Sequence, residues 1–262
     1  MLTLDSIPSY AKPGASYDHE STWAYPATSD GWYRIHDAIR MEMVKFFACL
    51  KAVNAPLQAW QVASLQTYWA GHESLVHSHH AHEDELFTPM LKERIVFPEK
   101  LEADHDAVLE LMADVGAAVK ALKEGGDVSD ALAKFETYKA TMEPHLVEEQ
   151  NILVPLMRAY YPHGEVNKKV AEIMQKLDPV HAGAFVHSFA GKNDFMSFMS
   201  QEKIPFFVWY IAFKSHRAVY RKEMESHVEA LLTGVPPGKP RTRKAELQTA
   251  VKCGEFAWRQ AK

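Results

Sequence analysis

The chain has 262 residues, of which 47% are hydrophobic, 24% charged and 11% aromatic, and its formal net charge is −5. That length and apolar content support a sizeable core, which excludes a disulfide-stapled miniprotein and an intrinsically disordered chain. The negative balance argues against nucleic acid as a partner. The longest apolar run, 204–213, is about half of the ~20 residues that a membrane span needs. Cys49 and Cys253 form no CxxC pair and fit a reducing compartment, and the opening MLTLDSIPSYAKPG lacks the basic and apolar regions of a secretory signal. A cytoplasmic chain with no membrane partner is expected.

In chain order, residues 1–28 read as an irregular arm with three prolines and several aromatics. Ser29 or Asp30 can cap a first helix to about Val53, and a second starts near Pro56 and runs to about Arg94. A third opens at Pro98, a favourable first-turn proline, and stops at Gly125-Gly126. A fourth, capped by Ser129 or Asp130, ends near Tyr161-Pro162. Strand-like alternation is absent. Short connections between four long helices imply an all-α, up-down-up-down bundle over 29–161. A helical extension follows over 165–262: a piece at 165–177, a broken stretch at 179–203, a long helix at 205–232, a Gly/Pro-rich linker and a last helix at 242–259. From Val235 onward seven basic residues face two acidic ones, which reads as a solvated final helix. The run 205–213 is apolar nearly all round and is expected to be buried, against the bundle or in a homodimer.

The second and fourth helices carry one pattern. His79 and Glu83, Leu86-Phe87 and Pro89 recur as His145 and Glu149, Ile152-Leu153 and Pro155 at an offset of 66 residues. The first and third helices match at an offset of 69, with His36 against His105. Each half therefore holds one histidine on one helix and HxxxE on the other. Positions i and i+4 lie about 40° apart around a helix and one turn along it, so His79 and Glu83 reach one point, as do His145 and Glu149. The same faces continue in Ile39, Met43, Leu86, Met90, Leu109, Met112, Ile152 and Leu156, so the polar groups fall on the stripe that should be buried. Four imidazoles and two carboxylates without partners would be very costly there, and metal ions remove that cost. Six N/O donors, two of them carboxylates able to bridge, suit two first-row metal ions, and helical bundles build such centres. The absence of cysteine from the set argues against structural zinc and iron–sulfur sites.

These residues resemble the hemerythrin-like HHE cation-binding domains. The resemblance rests on His36, the stretch 79–87, His105 and the stretch 145–155, and covers about 29–161. It implies a four-helix bundle around a non-haem di-iron centre. One iron would take His36 and His79, and the other His105 and His145. Glu83 and Glu149 would bridge, together with an oxo, hydroxo or water ligand. The same donors also accept manganese or zinc. Oxygen-carrying members have a further histidine one turn from the third-helix ligand. Leu101 and Leu109 stand in those turns here, which leaves more open coordination and argues against simple oxygen carriage.

Around this set, His77, His80 and His82 lie about 60–160° around the helix from His79, and most of them are expected in solvent or behind the ligands. His72, a heptad before His79, shares its face, either as a pocket-lining proton donor or extra ligand or as a buried core histidine. Trp32 and Tyr33 precede His36 by one turn and either line the pocket or are ordinary core aromatics. Pro144, just before His145, should kink or locally widen the helix, or mark the start of a new helical turn. The histidines of the extension, His181, His187, His216 and His227, lack a paired carboxylate pattern. Two functions follow. The first is binding or sensing of O2, NO or peroxide at the metal centre. The second is an oxygen-dependent oxidase or oxygenase, or a peroxide-decomposing enzyme, whose small organic substrate would sit in a pocket walled by the extension.

Overall fold

A computed structural model describes residues 4–239. No strand occurs among them, only an isolated bridge between Ala11 and Ile95. Helix α1 (Gly31–Ala52) starts where the Asp30 carboxylate accepts from the Trp32 N–H at 3.0 Å. Helix α2 (Ala59–His82) begins later than expected from Pro56, because Gln58 and Gln61 form a reciprocal capping box. A π turn (Glu83–Phe87) joins it to α3 (Thr88–Arg94), completing the second expected helix. Helix α4 (Glu99–Ala121) follows Pro98 and ends short of Gly125. There the chain leaves the helix to pair with the preceding connection: Gly125 N–H donates to Leu57 C=O, and Leu57 N–H donates to Gly126 C=O. Gly125 adopts φ +82°, which favours glycine. Helix α5 (Ser129–Tyr160) runs through both Pro144 and Pro155 as one helix, so no new helix starts at Pro144. The widened turn lies in α2–α3 instead.

Helix α1 packs on α2 and α5, and α4 packs on the same two, which closes a ring of four. Its interior is filled by Ile39, Met43, Phe46, Leu65, Val108, Met112, Phe135 and Met142. Leu86, Leu109 and Ile152, expected on the buried stripe, are only partly buried. The π turn accounts for the first of these. It inserts one residue into the helical register, so Phe87 takes the inner position that an ideal helix would give Leu86. The arm forms short 3-10 turns (Leu4–Tyr10, His19–Thr22, Ala27–Ser29) held on α5: the Trp23 indole N–H donates to Tyr161 C=O at 3.1 Å, and the Tyr160 hydroxyl donates to Ile7 C=O at 2.7 Å.

The extension comprises α6 (His163–Lys176), α7 (Pro179–Ser188), α8 (Lys192–Gln201), a π turn (Trp209–Phe213), α9 (Lys214–Tyr220), a second π turn (Arg221–Glu225) and α10 (Ser226–Thr233). It packs on the bundle through α7 against α1 and α10 against α1 and α2. Gly183 lets α7 meet the backbone of His216, and Gly71 makes room for Met224; a Cβ at either would overlap its neighbour. The expectation of an all-round buried 205–213 fails. Trp209 and Phe213 are buried, but Phe206 and Ile211 are 68% and 72% exposed. Cys49 is buried. Cys253, most of the basic tail and the expected helix at 242–259 lie outside the described residues. No helix among the described residues is long and apolar enough to cross a membrane.

Candidate metal centre

The six side chains singled out by the repeat converge between α1, α2, α4 and α5. His36, His79, Glu83, His105, His145 and Glu149 are all buried, none more than 6% exposed. His36, His79, Glu83 and Glu149 form one group whose donor atoms lie within 4.8 Å of one another, and His80, His105 and His145 form a second. The carboxylates reach both. Glu83 places Oε1 3.3 Å from His79 Nε2 and Oε2 3.5 Å from His105 Nε2. Glu149 places Oε2 3.3 Å from His36 Nε2, and Oε1 3.1 Å from His105 Nε2 and 3.5 Å from His145 Nε2. Each acid thus turns one oxygen to each group, the disposition a bridging ligand requires.

His80 departs from expectation. It is 1% exposed, stacks on His105 with ring centroids 4.4 Å apart, and meets His145 edge-on at 5.5 Å. Adjacent helical residues diverge by about 100°. Helix α2 is flanked by α1 on one side and α4 on the other, so His79 turns toward His36 (5.0 Å) while His80 turns toward His105. Leu101 and Leu109 leave the neighbouring turns of α4 without an imidazole, as the sequence reads, and α2 brings one to the second group instead. Five imidazoles and two carboxylates meet here, and coordination is less open than the sequence implied. The signal for it was the HH pair itself. His77 is exposed and His82 half-buried, and neither joins a donor group.

The remaining candidates divide. Trp32 is buried with its ring 6.3 Å from His36 and 5.0 Å from Phe87, so it walls the first group. Tyr33 points elsewhere, its hydroxyl donating to Gln150 C=O at 3.4 Å. His72 belongs to neither group; its Nε2 is 2.9 Å from the Tyr138 hydroxyl, and burial pushes its pKa down to about 3. In the extension, His181 meets Ser74, His227 meets Ser64 and His187 meets Glu225, and no donor group forms among them.

The donor chemistry fits metal. Both ring nitrogens of His36, His80 and His145, Nε2 of His79, both oxygens of Glu83 and Oε2 of Glu149 are buried with no hydrogen-bond partner. So many orphaned polar atoms in one place would be severely destabilising without something to bind them. Burial, aided by neighbouring cations and imidazoles, holds His36 and His79 far below the usual histidine range, and burial also lowers His145. These rings are therefore neutral, with lone pairs free for a cation. Burial, the Glu149 charge and Asp84 push Glu83 well up, a strain that a nearby cation would relieve. For His105 burial acts downward, but the hydrogen bond and charge of Glu149, with those of Asp84, outweigh it and raise the pKa. Its Nδ1 lies 3.0 Å from Asp84 Oδ1, a contact that aims Nε2 at the cluster.

Against the centre lies a cavity of about 10 Å3, lined by Glu83, Thr88, Phe97, Leu101, His105, Glu149 and Leu153. Such a space holds about one water-sized molecule. Glu83 and Thr88 are five residues apart and share this wall because the π turn brings residues at that spacing into line, with Thr88 N–H donating to Glu83 C=O.

No curated protein and no solved structure matches the chain. A family model does, the Hemerythrin HHE cation binding domain, over residues 28–157, which span α1 to most of α5. With the paired donor groups inside that span, the chain belongs to the hemerythrin HHE cation-binding family.

Proposed function

We propose that the two donor groups hold two iron ions and that the centre binds a small ligand, O2, NO or peroxide, in a binding or sensing role. His36 and His79 serve one ion, His80, His105 and His145 the other, and Glu83 and Glu149 join them. Manganese and zinc suit the same atoms, so the ligand chemistry rather than the donor set carries the choice of iron. Bound iron would supply an open coordination position and a change of oxidation state. The up-down-up-down course expected from the short connections belongs to this reading.

The observation that carries it is the cavity. Its size, about 10 Å3, admits a diatomic or water-sized molecule, and Phe97, Leu101 and Leu153 wall it with apolar groups. Glu83, Thr88, His105 and Glu149 supply the polar surface that a ligand meets. The oxidase or oxygenase alternative requires a substrate-sized space walled by the extension. All seven residues lining this cavity lie between positions 83 and 153, within the bundle segment. Metal analysis of freshly purified protein, with optical spectra before and after O2, NO and peroxide, tests the proposal. Two irons per chain and a ligand-dependent charge-transfer band are expected. One tightly held zinc with no spectral response overturns it.

A further inference from the structure

Four large apolar side chains within six residues stand in solvent at the start of the long C-terminal helix. Phe206, Phe207, Tyr210 and Ile211 are 68%, 50%, 58% and 72% exposed. The rings of Phe206 and Phe207 are 6.1 Å apart in the turn that leads into the helix, and the N–H groups of Tyr210 and Ile211 both donate to Phe207 C=O, so the four follow one another across that turn and the first turn of the helix. The opposite face is anchored: Trp209 and Phe213 pack on Phe195 at 5.8 and 4.9 Å. No described residue covers the exposed side. Contiguous apolar surface of this kind marks an interaction site rather than scattered surface residues.

The rim identifies the partner by charge. Lys192 donates to the Tyr210 hydroxyl at 3.2 Å and lies 4.9 Å from that ring's centroid. Lys203 precedes the patch in a turn with φ +57°, and Lys214 follows Tyr210 by four residues; all three lysines are exposed. The nearby acids are engaged elsewhere: Glu202 faces His163 at 3.6 Å, and Asp194 faces Arg34 at 3.9 Å. A second copy docked about a two-fold axis would bring this lysine rim toward its own equivalent, and like charges oppose that. An anionic lipid surface satisfies both features, since aromatic and aliphatic side chains enter the headgroup boundary while lysines meet the phosphates. We infer that the Phe206–Ile211 patch and its lysine rim dock the protein on an anionic membrane surface. The contact is peripheral, not a span, and it revises the expectation that the chain has no membrane partner.

Co-sedimentation of the full chain tests this, with vesicles of phosphatidylcholine alone and of phosphatidylcholine mixed with phosphatidylglycerol. Binding to the mixed vesicles is expected, roughly tenfold weaker on phosphatidylcholine alone and weaker in high salt. The pair Phe206→Ser with Ile211→Ser, and separately Lys203→Glu with Lys214→Glu, should each lower binding roughly tenfold or more, with helical circular dichroism and metal content unchanged. The inference is overturned if the protein stays in solution with both vesicle types. It is equally overturned if light scattering shows a dimer that Ile211→Ser dissolves, because the patch is then a self-interface.

Discussion

Replacing His80 with leucine should move the stability of the metal-free and metal-loaded protein in opposite directions. His80 is 1% exposed, and both of its ring nitrogens are buried without partners. An unsatisfied buried polar group costs about 1–3 kcal/mol, and leucine removes two of them while preserving apolar contact with the His105 ring. Allowing about 1 kcal/mol for imperfect shape, the metal-free variant gains about 2 kcal/mol, which raises Tm by about 4–8 °C in a domain of this size. The loaded protein behaves oppositely, because a ligand of the second group is gone. A hundredfold weaker affinity removes up to about 2.7 kcal/mol of metal-linked stability. Scanning calorimetry of chelated and loaded samples, with metal content measured on each, reads all three quantities. The reasoning is refuted if Tm falls equally in both states and two metals remain bound, because His80 is then a packing residue only.

Asp84→Asn weakens the contact that orients His105, and should lower metal affinity about 10–100-fold in a chelator competition titration; an unchanged affinity would detach Asp84 from the site. His72 has a folded pKa of about 3 through burial, against about 6.5 when unfolded. Its contribution to stability is therefore present above pH 6.5 and is lost as the pH falls toward 3. Chelated protein should lose about 2 kcal/mol from this group between about pH 7.5 and about pH 5. Urea unfolding of His72→Phe should show that much less pH dependence, and identical dependence in both proteins would contradict the burial argument. Between bundle and extension, Lys45 Nζ lies 2.5 Å from Glu225 Oε2 and 3.0 Å from the Tyr220 hydroxyl, which donates to Glu42 at 2.5 Å. Lys45→Met should cost about 3–5 kcal/mol by denaturant unfolding, because it leaves buried carboxylate charge uncompensated; a loss under 1 kcal/mol would refute that role.

The duplicated His…HxxxE pattern made six of the seven converging side chains legible, since i and i+4 spacing survives in any helix. The adjacent histidines mark His80, but an ideal helix assigns one inward direction, whereas α2 has neighbours on both sides and sends the two to different ones. The π turn at Glu83–Phe87 left no periodic trace, and it moved Phe87 and Thr88 inward at the expense of Leu86. The helix boundaries were read to within a few residues where caps and prolines mark them, and missed at Leu122, where loop-to-loop pairing decides. In 205–213 hydrophobicity has no preferred face, so periodicity could not tell the anchored side, Trp209 and Phe213, from the exposed one.

Anomalous diffraction at the iron edge, from crystals of the protein purified with its metal, addresses the dinuclear centre most directly. Two peaks about 3.5–4 Å apart are expected, one beside His36 and His79, the other beside His80, His105 and His145, with Glu83 and Glu149 between them. A single peak, or peaks confined to His77 and His82, would contradict the account.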